Sequence, residues 1–119
     1  MHSELLLEHF RNPRNVGQLA LPAITVDVTN PACGDLLRLS ALFEDGKVAE
    51  ARFQVRGCTA SIAAGSALSE WMVGKTRADL RGLTAEIIEL ALGGLEPASK
   101  HAATLCVDGA KAIARSAVS

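Results

Sequence analysis

Residues 23–29, AITVDVT, alternate without a break: Ile24, Val26 and Val28 fall on one side, Thr25, Asp27 and Thr29 on the other. A period of two predicts a strand with one face buried. Residues 36–43, LLRLSALF, repeat the pattern, with Leu37, Leu39, Ala41 and Phe43 on the apolar face. So do residues 47–57, KVAEARFQVRG, with Ala49, Ala51, Phe53 and Val55 inward and Glu50, Arg52, Gln54 and Arg56 outward. Between the last two, Glu44-Asp45-Gly46 predicts a three-residue hairpin loop, Gly46 supplying the positive φ. That loop pairs Phe43 with Lys47, Ala41 with Ala49, Leu39 with Ala51 and Leu37 with Phe53. Every apolar residue then meets one face, whereas a slip of one residue sets Leu39 against Arg52.

The period changes from residue 59 onward. Ala60, Ala64, Ala67 and Trp71 form one helical stripe with Ile62 and Leu68 beside it, and Gly74 ends the run. Thr76 and Thr84 are candidate caps of two short helices over 76–83 and 84–94, the second closed by Gly93 and Gly94. Residues 97–118 predict a terminal helix with Pro97 near its start, Leu105, Ala112 and Ile113 inward, and Gly109 as a weak point. At the other end, Ser3 caps a short helix over 3–10 with Leu5, Leu6 and His9 on one face, and Pro13 and Gly17 break regular structure after it. Strands first and helices after predict an α+β fold: a three-stranded antiparallel meander with helices packed on one face.

Length and composition narrow the class. A chain of 119 residues suits a single domain, 1–119. With 49% apolar residues, 21% charged and a net charge of -1, it carries no signature of a nucleic-acid or anionic-membrane partner. No apolar run approaches the ~20 residues that span a bilayer. The first residues lack a basic leader and a cleavage site, which predicts a cytoplasmic protein. The three cysteines, Cys33, Cys58 and Cys106, are too few and too uneven for a disulfide framework, leaving metal binding, thiol chemistry or burial.

The meander itself gathers chemistry. The loop NPACGD, residues 30–35, and the end of the third strand lie at the same end of the sheet, so the register above sets Cys33 opposite Gly57, next to Cys58, with Asp35 on the same rim. Cys58 immediately precedes a helix, where the helix dipole favours thiolate. Cys33 is followed by Gly34, which lets the backbone bend around an ion. In EPASKHAATLCVDGAK, residues 96–111, His101 and Cys106 are five apart, a turn of about 140° on a regular helix. Both therefore cannot face one ion. His101, near the helix start, is the candidate ligand, and Cys106 aligns with the core. The plainer alternatives are a buried thiol at each Cys and a solvent-facing imidazole at His101.

HFRNPRNVG, NPACGD, ARFQVRGCTASIAAGSALSEWMVGKT and the terminal helix together resemble the U-type iron–sulfur cluster assembly scaffolds of the IscU and NifU N-terminal kind. The likeness runs in order along nearly the whole chain. It implies an α+β fold and a site in which three Cys, an Asp and often a His hold a nascent [2Fe–2S] cluster or a single Fe or Zn ion. Matched residue by residue, Cys33 takes the place of the first Cys, Asp35 of the Asp, Cys58 of the second Cys and His101 of the His. The third Cys falls on Ala102. Cys106 lies one turn further along. Glu96 and Ser99 stand where the family's chaperone-recognition motif has Pro and Lys, with Lys100 one place off, which argues against recognition by a dedicated chaperone.

The resemblance thus implies a scaffold or iron carrier, not an enzyme. Cys33, Cys58, His101 and Asp35 would take Fe²⁺ or a labile [2Fe–2S] cluster, with Zn²⁺ possible in the same four-ligand site. Cys58 is the candidate persulfide acceptor, Asp35 the exchangeable ligand. A cysteine desulfurase would supply sulfur and acceptor proteins would receive the cargo. The rival readings are a structural or regulatory zinc module that binds a partner and, behind it, a metal-dependent hydrolase with Asp35 as base.

Overall fold

The computed structural model describes residues 2–31 and 34–116. In chain order these form α1 (Glu4–Arg11), β1 (Ile24–Thr29), β2 (Leu36–Glu44), β3 (Lys47–Arg56), α2 (Thr59–Met72), α3 (Arg77–Arg81), α4 (Ala85–Ala91) and α5 (Lys100–Arg115), with a 3₁₀ turn over Pro97–Ser99 leading into α5. The strands make one open antiparallel sheet in the order β1-β2-β3. The fold is the expected α+β meander.

The β2–β3 hairpin differs from the expected one. Asp45 (φ +54°) and Gly46 (φ +79°) both take positive φ, so the loop has two residues and Glu44 pairs with Lys47. This turn matches the right-handed twist of the strands, which a longer loop need not do. A register shift then falls between Leu42 and Phe43, because Phe43 pairs with Val48 and Leu42 with Glu50, leaving Ala49 as the extra residue of a β-bulge. Beyond the bulge Ala41 meets Ala51, Leu39 meets Phe53 and Leu37 meets Val55. Relative to the expected pairing the strands have slid by two residues, one at the turn and one at the bulge. An even slide leaves the inward face of the sheet intact, and Val48 takes the buried place expected for Ala49.

Both α2 and α5 lie on that inward face, and each reaches it through a glycine. A Cβ on Gly65 of α2 would stand 2.5 Å from Phe53 Cδ2, and one on Gly109 of α5 would stand 2.9 Å from Leu37 Cδ2. Gly109 is therefore the point where the helix backbone presses on the sheet, and not simply a weak place in the helix. Leu37, Leu39, Phe53, Leu68, Leu105 and Ile113 fill the space between the layers. α2 is buried on nearly every side, while Ile62 and Trp71 are only half-buried.

The remaining segments close the edges. Asn15 and Gly17 bond the backbone of Phe53 along the free edge of β3 (both 2.9 Å). His9 of α1 reaches Ser66 of α2, Nδ1 to Oγ 2.8 Å, while Leu5, expected on the same inward face, is exposed. Arg77 of α3 donates to the carbonyls of Ile113, Ala114 and Ser116, satisfying the orphan acceptors at the end of α5. Among the described residues no helix is long and apolar enough to cross a membrane.

Replacing Gly65 by Ala tests the helix–sheet contact. Overpacking against Phe53, at about 1–3 kcal/mol, outweighs a helix-propensity gain of about 1 kcal/mol. Urea unfolding should show a net loss of about 1–2 kcal/mol, whereas Gly82→Ala, which meets nothing nearer than 3.6 Å, should leave the midpoint nearly unchanged.

Candidate metal centre

Three side chains from three separate parts of the chain meet at one end of the sheet. Asp35 stands just before β2, Cys58 is the N-cap residue between β3 and α2, and His101 lies in the first turn of α5. Their ligand atoms all lie within 4.8 Å of one another, and they form the one such group of three or more Cys, His or carboxylate residues among the described residues. Cys58 Sγ is 3.7 Å from Asp35 Oδ2 and 3.7 Å from His101 Nε2, and His101 Nε2 is 3.4 Å from Asp35 Oδ2.

Local structure explains each placement. The loop before β2 is closed by two backbone bonds, from the Asn30 N–H to the Asp35 carbonyl (3.0 Å) and from the Gly34 N–H to the Asn30 carbonyl (2.7 Å). Gly34 takes φ +76°, which favours glycine. The shifted register sets Asp35 against Gly57. A Cβ on Gly57 would lie 2.6 Å from the Asp35 Cγ, so the absent side chain is what admits the carboxylate. Cys33 itself lies outside the described residues. Cys58 is exposed on the rim, at the positive end of a 14-residue helix.

The carboxylate is well held. Burial pushes the Asp35 carboxyl up, but the Ser61 hydroxyl, the His101 imidazole, and the backbone and thiol of Cys58 together keep it below its ordinary value of 3.8. Ser61 is a site residue that the sequence pattern did not single out. It is buried in the first turn of α2, its hydroxyl donating to Asp35 Oδ2 and lying 3.4 Å from Cys58 Sγ. The signal for it is the three-residue spacing from Cys58 across a helix start, which brings the two onto one side.

The remaining thiol is elsewhere. α5 is regular from Lys100 to Arg115, so His101 faces the rim while Cys106 is 1% exposed within the core. Burial pushes the Cys106 thiol up to about 12. Ala102, where the family likeness would put a third Cys, is fully buried. Among the described residues Cys58 is thus the sole sulfur of the group. Thiolate, imidazole and carboxylate are together a donor set that suits Zn²⁺ or Fe²⁺.

The fold and the rim define a small α+β protein with a candidate metal-ligand set drawn from a sheet end and two helix starts. A family model described as the NifU-like N terminal domain matches residues 1–118, and the chain belongs to that family. It is 36% identical over 108 residues to the iron-sulfur cluster assembly scaffold protein IscU 1 of Archaeoglobus fulgidus, covering 91% of this chain and 71% of that one. It is 36% identical over 118 residues to the scaffold protein IscU of Azotobacter vinelandii, covering 96% and 91%. Its fold matches the crystal structure of a NifU-like protein (N-terminal) from Brucella abortus with a TM-score of 0.75, at 24% identity and over 95% and 91% of the two chains.

Two measurements probe these surroundings. Iodoacetamide applied to the native protein, with peptide mass mapping afterwards, should label Cys58 and spare Cys106 until denaturant is added. A Cys106 that reacts as fast as Cys58 would contradict its place in the core. In metal-free protein, Asp35, with its lowered pKa, contributes stability that is present above the ordinary carboxyl value and lost as pH falls through the lowered one. The stability gap between wild type and Asp35→Asn should accordingly be full well above the ordinary value of 3.8, narrow as pH falls past it, and close only below the lowered value.

Proposed function

We propose that this chain is an iron–sulfur cluster assembly scaffold or iron carrier. It takes Fe²⁺ or a labile [2Fe–2S] cluster as cargo at Cys33, Asp35, Cys58 and His101, and passes it to acceptor proteins. The observation that carries the reading is the approach of Asp35, Cys58 and His101, 23 and 43 positions apart in the chain, to within one coordination sphere. Membership in the NifU N-terminal family and the names of its IscU relatives support the same conclusion.

The donor set accounts for what such a protein must do. A [2Fe–2S] cluster is held most firmly by four thiolates. This chain offers two, Cys33 and Cys58, with an imidazole and a carboxylate completing the set. A cluster so held is labile, which suits a protein that gives its cargo away. The carboxylate is the weakest donor to a soft metal and hence the exchangeable one. Zn²⁺ binds the same four residues. Cys58, exposed at the helix start, is accessible to sulfur delivered as persulfide by a cysteine desulfurase.

Anaerobic reconstitution with Fe²⁺ and sulfide, read by absorption and Mössbauer spectroscopy, tests this directly. Wild type and Cys106→Ala should both take up iron, Cys58→Ala should lose most of it, and Asp35→Ala should release its cargo to a chelator more slowly. A wild-type protein that holds no iron and no cluster under these conditions would end the scaffold reading.

A further inference from the structure

Ser61 is a buried polar side chain with two reactive neighbours. Its residue is 2% exposed, its hydroxyl donates to Asp35 Oδ2, and its oxygen lies 3.4 Å from Cys58 Sγ. A serine hydroxyl has one proton and two lone pairs. With the proton committed to Asp35, an oxygen lone pair is left on the side of the Cys58 sulfur, 3.4 Å away. The same Oδ2 is the carboxylate oxygen that faces His101 Nε2 and Cys58 Sγ. Ser61 therefore grips the one oxygen of Asp35 that points into the group.

The hydroxyl is not explained by the helix alone. In α2 it comes after Ala60 and before Ala63 and Ala64, all buried and apolar, so alanine at 61 would suit the packing and favour the helix more. A buried hydroxyl is retained at a cost unless it is bonded, and the bonds it makes go to two candidate ligands. Gly57 leaves room for the carboxylate, which the Cys58 backbone also bonds.

We propose that Ser61 is a positioning residue for the metal site, holding the Asp35 carboxylate with Oδ2 turned toward Cys58 and His101 so that all three can close on one ion. This rests on the scaffold reading above. Hydrogen-bond partners of metal ligands typically change affinity by about 10–100-fold when removed.

Co²⁺, whose d–d bands report coordination geometry and whose charge-transfer band reports a bound thiolate, is the probe. Metal-stripped full-length protein is titrated with Co²⁺ under anaerobic conditions. Ser61→Ala should bind about tenfold more weakly, with its sulfur charge-transfer band kept and its d–d bands shifted as water replaces the loosened carboxylate. In an Asp35→Ala background, Ser61→Ala should cost nothing further, because there is no carboxylate left to hold. A Ser61→Ala protein that titrates as wild type overturns the inference. So does an equal loss in the Asp35→Ala background, or a metal-free Ser61→Ala protein without the native circular dichroism, since either assigns Ser61 to the fold. A wild type that binds Co²⁺ without a sulfur band sinks the scaffold reading itself, whereas a sulfur band with Ser61→Ala unaffected sinks this inference alone.

Discussion

Two helices press on one face of a three-stranded sheet at points where they carry no side chain. Gly65 seats α2 on the ring of Phe53, and Gly109 seats α5 on Leu37. A Cβ at either point would stand closer than van der Waals contact allows, so a larger residue would lift the helix or displace the core. The height of each helix above the sheet fixes where its first turn ends up. Cys58 begins α2 and His101 begins α5, so the separation of sulfur from imidazole depends on contacts made well inside the core.

Asp35 depends on the same economy of side chains. Gly57 leaves the room that the carboxylate fills, and Ser61 and the Cys58 backbone hold it there. Three close approaches through glycine thus serve one end of the molecule. The rim that results joins a rigid sheet end to two helix starts, and rigid elements hold ligand geometry better than loops do. Among the described residues that rim carries one sulfur, Cys58. Ala102 is buried and Cys106 is locked in the core, so neither brings a second sulfur to the rim.

Much of the fold was legible in the alternation of apolar residues. All three strands, the α+β class and the face toward the helices come from a period of two in Ile24 to Val28, Leu37 to Ala41 and Ala51 to Val55. The pairing was less legible. A turn of type Asp-Gly and a bulge at Ala49 each move the register by one, and a shift of two leaves the alternation unchanged. No pattern of apolar residues can report an even slide, which is why the place of Asp35 against Gly57 was not legible. Ser61 went unread because a serine among buried alanines looks like ordinary helix packing until its neighbour across the rim is known.

By itself the sequence determined which face of the sheet is buried, the order and approximate extent of the helices, and which reactive residue types stand at element ends. These are local matters, set by period, caps and turns within a few residues of each other. Only the tertiary structure decided which of those residues meet. The spacing of Asp35, Cys58 and His101 depends on register, on a bulge and on how closely helix backbones approach a sheet. Those are properties of packed surfaces between segments far apart in the chain, and no local pattern encodes a distance across them.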